Sequence, residues 1–312
     1  MTTQKLQENR ETPMTPPQCS KCTAGTALLF HTRDHNRKLS DEVFTYYRCS
    51  RCGLIFLNPI PDDLGRYYPT AYYDVPRTEH ELAQTAQRLQ QWKMDLVQRF
   101  ASKGRLLEIG PAYGLFSYLA KRAGFDVTAI EMDSRCCQFL RDTVGIHVVE
   151  SADTAGRLKE LPKFDVIVLW QVIEHLPDPW VVLEAAADRL APNGVLILDT
   201  PNPDAFQFRI LGPRWVHVDA PRHVTLIPAP LMVEHLASHG LSPVLLTAAD
   251  KSANGFNGWG WAFSLKNLFR NDTLGSIAHF MGRVLGKLLI PIERTGWRGS
   301  TYTAVFRKGS AS

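Results

Sequence analysis

Gly104-Arg105-Leu106-Leu107-Glu108-Ile109-Gly110-Pro111-Ala112-Tyr113-Gly114 reads as a buried strand that runs straight into a glycine turn. A helix pattern follows in LFSYLAKRAG (115–124), then a strand in DVTAIE (126–131), a helix in SRCCQFLRDTVG (134–145) and a strand in IHVVE (146–150). Strand, turn and helix repeated in this way predict an α/β fold, a parallel sheet covered by helices on both faces. The pattern continues with FDVIVLW (164–170), a helix through WVVLEAAADRL ended by Pro192-Asn193-Gly194, and the strand VLILDT (195–200). A long insertion (201–227) then precedes a helix at 230–239 and a strand at 241–248, and TYTAVFR (301–307) supplies a last strand.

At the end of the first strand, Gly110 allows a sharp turn and lets a ligand approach the main chain. The dinucleotide fingerprint Gly-x-Gly-x-x-Gly is not met, because Ala112 and Leu115 stand where its later glycines belong, so a pyrophosphate cradle is disfavoured. Glu131 ends the next strand, 21 positions past Gly110, where a carboxylate accepts hydrogen bonds from both hydroxyls of a ribose. Glu108-x-Gly110-x-Ala112-x-Gly114 resembles the acidic-x-Gly-x-Gly-x-Gly motif of class I S-adenosylmethionine-dependent methyltransferases, with one glycine replaced. That resemblance implies a Rossmann-like seven-stranded sheet with 301–307 as its inserted antiparallel strand. It also implies a cofactor site in which Glu108 holds the methionine end, the loop Gly110, Pro111, Ala112, Tyr113 and Gly114 faces the ligand, Glu131 takes the ribose and Asp153 lies near the adenine amino group. The alternative is a bare doubly wound fold with no ligand.

The run Phe164 to Pro179 (FDVIVLWQVIEHLPDP) resembles the fourth-strand region of methyltransferases related to the ubiquinone-biosynthesis O-methyltransferases. In that frame Trp170 and Gln171 flank the cofactor, and Glu174 with His175 border the acceptor. Some relatives carry Glu at the position of Gln171, in a set linked to a divalent metal; Gln171 lacks that carboxylate, which argues against a catalytic metal here. Methyl transfer is an in-line displacement that needs alignment and, for a hydroxyl acceptor, a proton acceptor. A histidine of near-neutral pKa suits that task. His175 is the first candidate, with Glu174 as its orienting partner or a substrate ligand; the plainer reading has the pair capping a helix. The insertion RWVHVDAPRHVTL (214–226) also resembles this subfamily and makes His223 a second base candidate and His217 a weaker one, unless these histidines only fix their loop. No Asn-Pro-Pro-aromatic sequence, the mark of methylation on a base amine, follows the fourth strand.

Upstream, Cys19-Ser20-Lys21-Cys22 and Cys49-Ser50-Arg51-Cys52 give two knuckles separated by 26 residues, the spacing of a zinc ribbon whose four thiolates close a structural zinc site. TALLF, VFTYYR and LIFLN in the segment read as its strands. The boundaries are a disordered tail over 1–18, a ribbon over 19–60, a linker and helix over 61–103 and a cofactor-binding domain over 104–312. The ribbon and Tyr67-Tyr68-Pro69-x-x-Tyr72-Tyr73 resemble a leader found on sugar and small-molecule methyltransferases. That resemblance implies a small-molecule acceptor, nucleotide-sugar- or lipid-linked, with a tyrosine either touching it or packing the ribbon down.

With 45% hydrophobic residues, 21% charged and a net charge of +4, the chain is an ordinary globular protein, and the excess is too mild to argue for a nucleic-acid partner. The polar, proline-punctuated first 18 residues are no signal peptide, so a cytoplasmic protein is expected. Ile277, Phe280, Met281, Val284, Leu285, Leu288 and Leu289 follow helical spacing. This apolar face within 274–292 suits core, lid or, with Arg283, Lys287, Arg294 and Arg298, a peripheral membrane contact. Two rivals stay open: a ribosomal-RNA methyltransferase, for which Lys21, Arg33, Arg37, Lys38, Arg48 and Arg51 would form a basic face, and a non-catalytic ribbon scaffold.

Overall fold

The computed structural model describes residues 16–69, 76 and 78–310; residues 1–15 of the expected tail and Tyr72 and Tyr73 of the linker lie outside them. Strands β1 (Thr26–Thr32), β2 (Phe44–Cys49) and β3 (Ile55–Leu57) form an antiparallel meander. Helix α1 (Glu79–Gln98) leads into β4 (Gly104–Ile109), α2 (Leu115–Arg122), β5 (Phe125–Glu131), α3 (Ser134–Phe139) and β6 (His147–Glu150). Next come α4 (Thr154–Glu160), β7 (Phe164–Trp170), α5 (Pro179–Arg189), β8 (Leu190–Pro201), α6 (Phe206–Leu211), β9 (Thr225–Leu226) and α7 (Ala229–Ser238). The chain closes with β10 (Leu241–Thr247), α8 (Lys251–Lys266), α9 (Asp272–Glu293) and β11 (Thr301–Lys308).

The larger sheet has the order β10-β11-β8-β7-β4-β5-β6, with β11 antiparallel to both neighbours and β4 through β8 parallel. This is the seven-stranded arrangement expected from the sequence. Alternation along each strand supplies two cores: Leu107, Ile109, Ile167 and Leu169 on one face, Leu106, Val127, Val166 and Val168 on the other. The chain leaves β4 toward β5 and β6, then returns to β7 on the opposite side. The carboxyl ends of β4 and β7 therefore flank a topological switch point, where ligands enter such sheets.

The ribbon is not a separate bead. Its third strand pairs with β9 from the insertion, Ile55 opposite Leu226 and Phe56 opposite Thr225. Tyr46, Ile55 and Leu57 share a core with Trp215, Val218 and Val224.

Helix α8 had no counterpart in the sequence reading, because Gly255, Gly258 and Gly260 lower helix propensity over KSANGFNGWGWAFSLK. Packing explains it. A Cβ on Gly282 of α9 would fall 2.5 Å from the Trp261 carbonyl oxygen, and one on Gly286 would fall 3.2 Å from Gly258 Cα, so glycines let the two helices approach. The apolar stripe of α9 is thereby turned outward. Ile277, Phe280, Met281, Val284 and Leu288 are exposed, which rules out the core reading of this face.

Candidate active site and cysteine cluster

The candidate cofactor side grows from the turn after β4. Gly110 has φ of +68°, and a Cβ there would meet Val172 Cγ2 at 2.7 Å; Gly114, at φ +81°, opens α2. Between them Ala112 holds φ of +53°, a left-handed conformation costly for a side chain, at the position where the related motif carries glycine. Its N–H donates to Glu131 Oε2 at 3.0 Å, which fastens the loop to the end of β5. Glu131 Oε1 accepts from the amides of Met132 and Asp133 at 2.7 and 2.9 Å, and burial raises its pKa against those donors.

Glu108 is buried at the end of β4 and accepts from the Ser117 hydroxyl; burial pushes its carboxyl up to about 7. Lys93 of α1 reaches this cleft, with its ammonium 4.9 Å from the centre of the Trp170 ring. Burial draws its pKa down to about 8, while the carboxyls of Glu108 and Asp199 pull the other way. The sequence reading missed Lys93, although a signal exists. Leu82, Ala86 and Val97 set the inward face of α1, and Lys93 falls on that same face, where a cation needs a partner.

Trp170 is buried, packed edge-on against Trp92 and Phe116, and its indole N–H has no hydrogen-bond partner among the described residues. Gln171 has φ of +56° and its amide donates to Asp199 Oδ1, whose other oxygen accepts from Thr303 Oγ1 at 2.9 Å. Burial raises Asp199 to about 7. Asp153 is exposed and caps α4, accepting from the Gly156 amide at 2.9 Å.

On the acceptor side, a single turn (Ile173–His175) follows β7. Glu174 is completely buried; its Oε2 accepts from Thr200 Oγ1 at 3.0 Å, its Oε1 has no partner among the described residues, and burial lifts it to about 8, which favours the uncharged form near neutrality. The expected orienting bond from Glu174 to His175 is not formed. His175 Nδ1 instead lies 3.0 Å from the Arg222 carbonyl and 3.0 Å from the Tyr68 hydroxyl. His223 stacks edge-on against it, ring centres 4.6 Å apart, and its Nδ1 donates to the His217 carbonyl at 2.8 Å. Carbonyls only accept, so both rings carry their proton on Nδ1 and present an Nε2 lone pair. Burial, then the neighbouring His223, lowers His175 to about 3, well below the near-neutral value expected from sequence; His223 is lowered as well.

Beneath this pair lies a buried charge set. Arg222 bonds Asp34 of the ribbon at 2.7 Å and Asp219 at 2.7 Å. Burial opposes ionisation of Asp219, but its bonds to Arg222 hold it down at about 2. Two carboxylates and one guanidinium leave one net negative charge, and Asp219 Oδ2 sits 3.9 Å from His223 Nε2. The ribbon's Tyr46 hydroxyl donates to the His223 carbonyl at 2.6 Å. His217 stands apart from the pair in an aromatic nest of Trp215, Phe256 and Trp259. Glu174, His175 and His223 each offer one donor atom within 4.8 Å of the others, a set that also suits a divalent cation.

The four ribbon cysteines lie within the same limit of one another, with Sγ separations of 3.6 Å (Cys19 to Cys52) and 3.5 Å (Cys22 to Cys49). Zinc–sulfur bonds of about 2.3 Å place tetrahedral sulfurs about 3.8 Å apart, so the spacing fits a four-thiolate ion. Cys136 and Cys137 are buried thiols raised by that burial to about 12 and about 11, which makes them unreactive.

The sheet order and the glycine turn at the carboxyl end of β4 are those of a class I S-adenosylmethionine-dependent methyltransferase. The family described as a methyltransferase domain matches residues 79–246, just over half of the chain, and the protein belongs to it. A ubiquinone biosynthesis O-methyltransferase of Ruegeria pomeroyi is 30% identical over 185 residues, which cover 55% of this chain and 73% of that protein. One of the same description from Cereibacter sphaeroides is 29% identical with the same coverage. Among solved structures, a SAM dependent methyltransferase from Archaeoglobus fulgidus overlaps 73% of this chain and 94% of its own, with 18% identity and a TM-score of 0.49.

Proposed function

We propose that the protein transfers the methyl group of S-adenosylmethionine to a hydroxyl oxygen of a small biosynthetic acceptor, with the His175–His223 pair receiving the proton. The observation that carries this reading is the pair itself: two neutral rings with Nε2 lone pairs at the end of β7, beside a buried set of net charge minus one. His223 is the better holder of the proton, because Asp219 faces its Nε2 and stabilises an imidazolium. Half-buried His175 then meets the acceptor. The relatives' description as O-methyltransferases agrees with oxygen over carbon. Nucleotide-sugar and lipid-linked hydroxyl compounds are the acceptor classes to test.

The cofactor supplies an electrophilic methyl group. For its binding, we assign Glu131 to the ribose, Glu108 and Lys93 to the two charged ends of the methionine part, the loop Gly110 to Gly114 with Trp170 and Gln171 to close approach, and Asp153 to the adenine edge. Cys19, Cys22, Cys49 and Cys52 hold a structural zinc, which leaves no open position for chemistry. Three of the six basic candidates for the ribosomal-RNA alternative are engaged within the protein: Lys21 contacts His235 and Trp180, Arg33 the Asp41 carbonyl and Lys38 the Phe269 carbonyl.

The test is transfer of labelled methyl groups to a panel of nucleotide sugars and prenylated phenols, followed by His223→Ala and His175→Ala on the accepted compound. Loss of a proton acceptor is expected to lower turnover about 100- to 10,000-fold in His223→Ala, with S-adenosylhomocysteine affinity unchanged. Near-normal turnover in both variants would remove the base assignment.

A further inference from the structure

The surface of α9 carries none of the residues assigned above to methyl transfer and is built unlike the rest of the molecule. Of the 19 large apolar side chains exposed among the described residues, 10 lie between Leu268 and Trp297. Leu274, Ile277, Phe280, Met281, Val284, Leu288 and Ile292 share one side of the helix, with Phe280 67% and Leu288 71% exposed. A patch of this size on a lone protein marks an interaction surface rather than chance exposure. The opposite side consists of Gly275, Ala278, Gly282 and Gly286, buried toward α8. The helix is thereby held firmly with its apolar face outward.

Charge chooses the partner. Arg283 and Lys287 are exposed along one edge of the apolar stripe, and the one exposed carboxylate of the helix, Asp272, sits at its amino end, more than two turns from them. Glu293 is fully buried and bonded to Gln207 and Trp261, so it presents no negative charge, and Arg294 and Arg298 extend the basic edge beyond the helix. An apolar stripe bordered by cations and lying flat on a folded body fits the headgroup region of an anionic bilayer. No described helix is long and apolar enough to cross a membrane. We infer that α9 is an interfacial helix that seats the enzyme on anionic lipid surfaces, with Phe280 and Leu288 entering the acyl boundary and Arg283 and Lys287 meeting the headgroups.

The experiment is sedimentation of the full chain with vesicles of equal parts phosphatidylglycerol and phosphatidylcholine, and with phosphatidylcholine alone. Binding to the mixed vesicles is expected, weaker binding to the neutral ones, and a decline with added salt. The double variant Phe280→Glu/Leu288→Glu should bind roughly tenfold less while keeping its affinity for S-adenosylhomocysteine, which reports an intact fold. Arg283→Glu/Lys287→Glu should erase the preference for anionic vesicles. Absence of vesicle binding by the parent chain, or equal binding by parent and Phe280→Glu/Leu288→Glu, would overturn the inference. So would a parent chain that sediments as a dimer without lipid and becomes monomeric in that variant, since a second copy would then cover the face.

Discussion

The two halves of the proposed active site are assembled by different means. The proposed cofactor half is mostly local: Glu108, Gly110, Ala112, Gly114 and Glu131 fall within two consecutive strand–turn–helix units fastened by the bond from Ala112 to Glu131, and Lys93, Asp153, Trp170 and Gln171 join them from elsewhere in the same domain. The acceptor half is composite. His175 follows β7, His223 comes from the insertion after β8, and the charge set under them needs Asp34 and the tyrosine hydroxyl needs Tyr46, both from the ribbon. The lesson is one of dependence: the first half should survive damage to the ribbon, and the second should not.

Removing the zinc proposed for the four-cysteine cluster is the harshest way to break that contrast. Chelation at neutral pH, or Cys22→Ser, should abolish methyl transfer and lower the melting temperature, because binding energy at a structural zinc is folding energy. Affinity for S-adenosylhomocysteine should stay within a few-fold. An intact, active, metal-free protein would show the ribbon to be ornamental.

Next in size is Lys93, which sharpens the comparison by adding a residue from outside the local units. Lys93→Met should weaken S-adenosylmethionine binding about tenfold, the worth of one charge-assisted bond. A lysine titrating near 8 is cationic below that pH, so parent affinity should fall as pH rises through 8 and the variant's should not. A pH-independent parent would remove Lys93 from the site.

The smallest effect concerns stability. Glu174 has a folded pKa of about 8, raised by burial above its ordinary 4.5. A raised pKa contributes stability that is complete below 4.5 and is lost as pH rises through 8. Melting temperature measured from pH 5 to 9 should therefore decline less in Glu174→Gln than in the parent; parallel curves would mean that the carboxyl reaches solvent or an ion.

The same division governs what the sequence revealed. Strand periodicity and the glycine turn are properties of neighbours along the chain, so the seven-stranded sheet and the turn at the end of β4 were legible. His175 and His223 were legible as residues but not as a stacked pair, because 48 positions separate them and only the fold sets their spacing. Asp34, Asp219 and Arg222 carry no local signal at all; a charge reads as solvated until burial shows otherwise. Helix α8 was hidden by its glycines, whose value appears only when α9 lies against them. Periodicity found the stripe of α9 but could not say whether it faced core or solvent.

The most direct measurement is calorimetric titration of S-adenosylhomocysteine into the parent chain, Glu131→Ala and Asp34→Ala. Parent and Asp34→Ala should bind alike, while Glu131→Ala, which removes the carboxylate proposed to hold the ribose, should lose about a hundredfold. An unresponsive parent, or equal losses in the two variants, would contradict a cofactor half that stands independently of the ribbon.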